Sequence, residues 1–177
     1  PNTVFFRTQP VLPQDEVLEH IQEWGEAYLE ANGFINYEVS AWRKEKPSAH
    51  NLNYWKFGDY LAIGAGAHGK VTRPEGIYRF QKTRLPKDYL AKVPADHLQM
   101  KKIEADELPF EFMMNALRLN DGVDAKFYTQ RTGLDLQDIN ETLNQLRDKK
   151  LLVDDLNRIA CTEQGHIFLN SVLESFL

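Results

Sequence analysis

A chain of 177 residues, 42% apolar and 27% charged, has the make-up of an ordinary globular protein of one domain or two small ones. No apolar run approaches the roughly 18 residues a membrane span needs, and no basic, apolar, small-residue signal pattern opens the chain, so a cytoplasmic location is the default expectation. The net charge of −5 is unevenly divided: residues 43–102 hold 13 basic and 5 acidic residues, whereas residues 106–177 hold 7 against 13.

The chain starts at Pro1 with no methionine and runs straight into a strand-to-helix pattern, which is the expected look of the cut end of a longer protein. Residues 14–32 predict an amphipathic helix, because Val17, Ile21, Trp24 and Tyr28 recur at helical spacing and Leu18 widens the stripe. Pro13 and Asp15 mark its start, and Gly33 suits its end. Residues 34–40 alternate loosely before the polar run Arg43–Ser48, predicting a strand over 36–40. Helix then strand is half of a βαβ unit. A parallel sheet needs neighbouring strands and cover on both faces, so a missing amino-terminal portion is expected as a partner.

Residues 50–69 are the densest stretch of the chain. They hold two histidines, four aromatics and four glycines, with only Lys56 and Asp59 charged. Aromatic walls, flexible backbone and imidazoles together suit a pocket for a flat ligand or cofactor. A buried crossover loop with satisfied histidines is the equal alternative. Residues 59–64 predict a short buried strand or turn. Lys70–Thr72 and Ile77–Gln81 predict two strands around the turn Arg73-Pro74-Glu75-Gly76. Residues 86–105, polar and with two prolines, predict a short helix and a linker. The basic balance of residues 43–102 suits an anionic small molecule, or else an exposed face that balances an acidic neighbour.

From Asp106 the character changes. A helix is predicted over 108–119 through Phe110, Met113, Met114 and Leu117, and a short one over about 124–131 ending at Gly133. Residues 135–149 form the cleanest helical pattern, with Leu136, Ile139, Leu143 and Leu146 on one face and Asp135 as N-cap. Leu151–Asp154 and Arg158–Cys161 predict a hairpin, and 163–176 a last helix carrying Phe168, Val172, Leu173 and Phe176. Three helices, a hairpin wing and a closing helix describe a winged-helix-like domain. DNA binding is not expected of it: its net charge is −6, and Asp135, Asp138 and Glu141 open the would-be recognition helix. Docking of a protein or domain fits better, with Met113, Met114, Phe110 and Phe112 as the expected contact.

Gly64-Ala65-Gly66-Ala67-His68-Gly69 matches the spacing Gly-x-Gly-x-x-Gly. A dinucleotide site needs a helix to open there, whereas the β-like Lys70-Val71-Thr72-Arg73-Pro74 follows. Close backbone approach to a ligand is the better use. His20, His97 and His166 sit in ordinary contexts, His68 reads as structural, and Cys161 as a small buried apolar residue. No Ser-His-Asp order, metalloprotease motif or phosphate loop is present.

His50-Asn51-Leu52-Asn53-Tyr54-Trp55, then Phe57-Gly58-Asp59-Tyr60 and the glycine-rich run 64–69, resembles the C-terminal part of HemW, the haem-chaperone branch of the oxygen-independent coproporphyrinogen III oxidase-like (HemN-like) radical S-adenosylmethionine proteins. The resemblance extends from Pro1-Asn2-Thr3 through Tyr37-Glu38-Val39-Ser40 and Pro109–Asn115 to Leu169-Asn170-Ser171, essentially the whole chain. His-Asn-x-x-Tyr-Trp is the part most specific to that branch. It implies an α/β unit over 1–105, the last strand–helix portion of a partial (β/α) radical-SAM barrel, and a HemN-type winged-helix-like α+β domain over 106–177.

The resemblance further implies haem, or a related tetrapyrrole, bound at His50, Asn51, Tyr54 and Trp55, with His50 as the axial metal ligand. Gly64, Ala65, Gly66 and Ala67 become candidates for the S-adenosylmethionine side. A [4Fe–4S] cluster and S-adenosylmethionine are implied in the parent, and haem-acceptor proteins as partners. The cluster motif Cys-x-x-x-Cys-x-x-Cys has no counterpart beside the single Cys161, so this chain alone is not expected to perform radical chemistry. A true coproporphyrinogen III oxidase, which decarboxylates propionates oxidatively, is the runner-up. An acidic protein-interaction module without a ligand is the third reading.

Overall fold

The sequence patterns become elements largely where their caps and turn residues allow, in a computed structural model that describes residues 3–91 and 99–177. His97 lies outside the described residues. Helix α1 (Val4–Thr8) is capped by the Thr3 hydroxyl, and α2 follows over Asp15–Ala31. Asp15 and Glu16 sit in the first turn of α2, where the helix dipole favours anions. Gly33, at φ 77°, takes the left-handed conformation that ends it. The predicted stripe is present but uncovered: Val17, Ile21, Trp24 and Tyr28 expose between 49% and 70% of their surface.

Strand β1 (Ile35–Glu38) turns straight back into β2 (Ala41–Arg43), antiparallel, with Ile35 opposite Arg43 and Asn36 opposite Trp42. This corrects the expected strand over 36–40. Glu38 is why the chain turns there: its Oε1 accepts from both the N–H and the hydroxyl of Ser40 at 3.0 Å. All strand pairings among the described residues are antiparallel, and no barrel closes among them.

After α3 (Ala49–Trp55), β3 (His68–Arg73), β4 (Gly76–Gln81) and β5 (Gln99–Lys102) form an antiparallel meander in that order. The β3–β4 hairpin is the predicted one. Strand β5 falls in the predicted linker; four residues with two lysines on a sheet edge carry almost no strand signal. Helix α4 (Pro86–Ala91) is the short helix expected there. In residues 59–64, expected as a short buried strand or turn, only Tyr60 pairs, as a bridge to Lys70, while Leu61 and Ile63 are 78% and 89% exposed.

The C-terminal half packs α5 (Leu108–Ala116), α6 (Lys126–Thr132), α7 (Asn140–Asp148), α8 (Glu163–Ile167) and α9 (Leu169–Glu174) around one core. Strand β6 (Val123–Asp124) pairs with β7 (Arg158–Ile159), and Leu152 bridges Cys161 in the predicted hairpin. The helix predicted over 135–149 is divided. Asp135 caps a 3₁₀ turn at Leu136–Ile139, the tightening common at helix starts, before α7 begins. The helix predicted over 163–176 breaks at Phe168, which lets α9 aim Val172 and Phe176 inward while Phe168 stays exposed.

Phe112, Met113, Ala116, Leu117, Tyr128 and Ile159 are wholly enclosed. The Phe112 ring meets Phe57 and Tyr128 edge-on, at 5.7 and 5.3 Å between centroids. Phe112 and Met113 are therefore core rather than the expected docking contact, because they lie on the inward face of α5. Of that set, Met114 alone is exposed.

Candidate functional site

Ser48 starts α3 by accepting the Asn51 N–H on its hydroxyl at 3.3 Å. Four residues apart on this helix, His50 and Tyr54 meet edge to face with ring centroids 4.6 Å apart. Tyr54 packs in turn on Tyr60 at 4.1 Å. His50 is exposed. Asn51 faces inward and donates to the Tyr37 hydroxyl at 3.0 Å, a tie that anchors the helix to β1. Trp55 lies beneath the Arg118 guanidinium, 4.5 Å from ring centre to Cζ. Its indole nitrogen is buried with no hydrogen-bond partner among the described residues.

The exit from α3 is built as firmly as its entry. Phe57 is buried at φ 55°, and a Cβ on Gly58 would come within 2.7 Å of the Asn53 carbonyl oxygen. Asp59 then accepts from the Thr72 N–H at 2.8 Å, the Thr72 hydroxyl at 2.9 Å and Lys70 Nζ at 3.0 Å. The Lys70 ammonium is buried, 4.1 Å over the Phe57 ring. Burial pushes the Lys70 ammonium below its ordinary pKa, with Asp59 opposing. Burial raises the Asp59 carboxyl, but the bonds from Thr72 and Lys70 outweigh it and hold it below the usual value.

Gly64–Ala67 form a turn, with Gly64 at φ 100° and Gly66 at φ 71°. The Gly66 N–H donates to Thr83 at 2.9 Å and the Ala67 carbonyl accepts from Lys82 at 2.8 Å, so the turn is tied to the exit of β4. A strand follows it, not a helix, which removes the dinucleotide-site geometry. His50, Asn51, Tyr54 and Trp55 thus share α3, with Tyr54 against His50, Asn51 turned to Tyr37 and Trp55 beneath Arg118, while Gly64, Ala65, Gly66 and Ala67 belong to a separate turn.

Sequence reading missed a groove of about 830 Å³ between α2, the β1–β2 hairpin and α8. Glu26, Glu30, Trp42, Cys161, Glu163 and His166 line part of it. These residues come from distant segments with no shared motif, so no local signal marks them. Burial raises the Cys161 thiol to about 12 and lowers the His166 imidazole. No group of three or more His, Cys, Asp or Glu side chains is placed to hold a metal ion among the described residues. The donor set fits haem in one respect, an accessible imidazole with the Tyr54 ring beside it. It does not fit an iron–sulfur cluster, whose ligands are thiolates, because the lone cysteine is buried and protonated.

Residues 103–168 match the family described as the HemN C-terminal domain. Along its whole length the chain is 42% identical to the heme chaperone HemW of Haemophilus influenzae and 42% identical to that of Escherichia coli. The chain is HemW-like in sequence along its whole length, and its residues 103–168 carry a HemN C-terminal domain. It spans 46% and 47% of those two relatives, about half their length. A solved structure described as coproporphyrinogen III oxidase (HemN) from Escherichia coli, a radical SAM enzyme, shares the fold. The TM-score is 0.65 over 93% of this chain and 42% of that one, at 16% identity. Within the HemN family match fall α5 and Arg118, the elements that pack against the His50–Trp55 helix.

Proposed function

We propose that this chain is the C-terminal portion of a HemW-like radical S-adenosylmethionine haem chaperone and that α3 is its haem-binding helix. The observation that carries the reading is the exposed His50 imidazole, standing beside Tyr54 on a helix capped at its start and locked at its end. Haem supplies an iron that takes an imidazole nitrogen as axial ligand. The chain's own residues do the rest: Ser48 and Asn51 fix the helix, Tyr54 and Trp55 offer ring faces, and exposed cations of residues 43–102 pair with propionates. Among the described residues of that stretch, Lys70 is instead engaged by Asp59, Arg79 by Glu111 and Lys101 by Glu107.

The [4Fe–4S] cluster and S-adenosylmethionine belong to the preceding part of the parent protein, with Gly64–Ala67 turned toward the S-adenosylmethionine side. Residues 106–177 form a winged-helix-like appendage that docks a haem-acceptor protein in the cytoplasm; the acidic opening of its third helix is unsuited to DNA. A coproporphyrinogen oxidase is the weaker reading, because His50-Asn51-x-x-Tyr54-Trp55 belongs to the chaperone branch. No helix among the described residues is long and apolar enough to cross a bilayer.

Haem titration of the full-length protein tests the reading. A shifted Soret band is expected, and His50→Ala should weaken binding about tenfold or more, the scale of losing a ligand or its support. His20→Ala, on the exposed α2, should leave it unchanged. An identical haem spectrum and affinity in His50→Ala would return His50 to a structural role.

A further inference from the structure

Both aromatic residues at the end of the motif helix are held from α5 and the turn that follows it. The Trp55 ring is stacked by Arg118, whose guanidinium is itself fixed by Glu38 Oε2 at 3.2 and 3.3 Å and by the Ser40 hydroxyl at 3.2 Å. The Trp55 indole nitrogen has no hydrogen-bond partner among the described residues, so the ring is held between the core it packs against and the Arg118 stack. Tyr54 is reached by a second route. It packs on Tyr60, whose hydroxyl accepts from Arg79 Nη1 at 3.1 Å, and Arg79 Nε donates to Glu111 of α5 at 2.9 Å. Glu111 and Arg118 stand seven residues apart, the first in α5 and the second in the turn after it.

Neither route passes through α3's own backbone; one ends on Tyr54, the ring that meets His50, and the other on Trp55 at the end of the same helix. We propose that Glu111 and Arg118 are positioning residues through which the C-terminal domain sets Tyr54 and Trp55, so that coordination at His50 is conditional on the placement of α5. The inference rests on the reading of α3 as the haem-binding helix. It differs from a plain stability role, because an ion pair serving stability alone would be satisfied by any cation at 118. Ring placement requires the planar guanidinium.

The test uses the full-length protein with haem as the probe, reading Soret position, affinity and melting temperature for each variant. Arg118→Ala and Glu111→Gln should each weaken haem binding about tenfold and move the Soret maximum, the size expected of residues behind a ligand. Tyr60→Phe removes one hydroxyl, keeps the ring on Tyr54, and should reproduce the Glu111→Gln effect without a folding defect. Arg118→Lys should recover the melting temperature but not the Soret position. Combined with His50→Ala, none of these changes should add a further loss. The proposal is overturned if His50→Ala abolishes binding while Arg118→Ala, Glu111→Gln and Tyr60→Phe stay within about twofold of the parent, a difference under about 0.5 kcal/mol. It is also overturned if Arg118→Lys restores spectrum and stability together. If His50→Ala itself binds as the parent does, the haem reading fails and takes this inference with it.

Discussion

Tyr128 carries a hydroxyl into the middle of the core, where no hydrogen-bond partner meets it among the described residues. Burial, with Asp138 adding to it, raises the phenol to about 12. An unpaired buried hydroxyl costs about 1–3 kcal/mol, so Tyr128→Phe should raise the melting temperature rather than lower it. Calorimetry decides this, and a lower melting temperature would mean the hydroxyl is satisfied. Asp59 behaves oppositely. Its folded pKa lies below the ordinary 3.8, so its contribution is complete above that value and fades as pH falls through the folded value. Thermal melts from about pH 6 to about pH 3 should therefore fall more steeply for the parent than for Asp59→Asn, which is the less stable at the upper end. Parallel curves would remove Asp59 from its place as the anchor of the α3 exit. The sequence marked His50, Tyr54 and Trp55 through their motif. It was silent on Glu38, Asp59, Lys70 and Arg118, since a charged residue that finds a buried partner looks locally like any solvated one.

Helix α8 shows what one residue does for an element. A Cβ on Gly165 would stand 1.9 Å from the Leu151 carbonyl oxygen, so only glycine lets α8 lie against that turn. Gly165→Ala should cost about 2–3 kcal/mol, as overpacking of a closed contact does. Gly25 in α2 meets nothing within 4 Å. Gly25→Ala there should gain up to about 1 kcal/mol of helix propensity, and paired denaturant titrations compare the two. Equal effects would show that α8 has room to shift. Element existence was largely readable: the 3.6-residue stripe of α2, the β3–β4 hairpin about its Pro-Glu-Gly turn, and the glycine stops at Gly33 and Gly133 all carry strong local signals. The misses have separate causes. Strand β2 follows from the tight turn that Glu38 and Ser40 close, whereas strand β5 and the break at Phe168 arise from pairing or packing with residues farther along the chain, which no local pattern encodes.

On the scale of the molecule, Phe57 joins the residues around α3 to the C-terminal core, through its edge-on contact with Phe112. The relationship to HemW was readable because the His50–Trp55 motif is local and distinctive. The groove between α2 and α8 was not, being assembled from parts far apart in the chain. Helix α2 stands on the other side of that groove with no buried residue along its 17. Isolated helices of about 12–15 residues are marginal in water, and only packing makes them durable. Amide hydrogen exchange should therefore separate this chain into two populations. The amides of α2 should exchange within the first time points, and those of α5 and α7 only on global opening. Uniform protection would show that α2 is held by more than its own hydrogen bonds. If the two populations are seen, a single unfolding midpoint does not describe this chain. Far-ultraviolet circular dichroism, to which α2 contributes more than any other single helix among the described residues, should then begin to melt earlier than a probe of the core, so the two signals report different events.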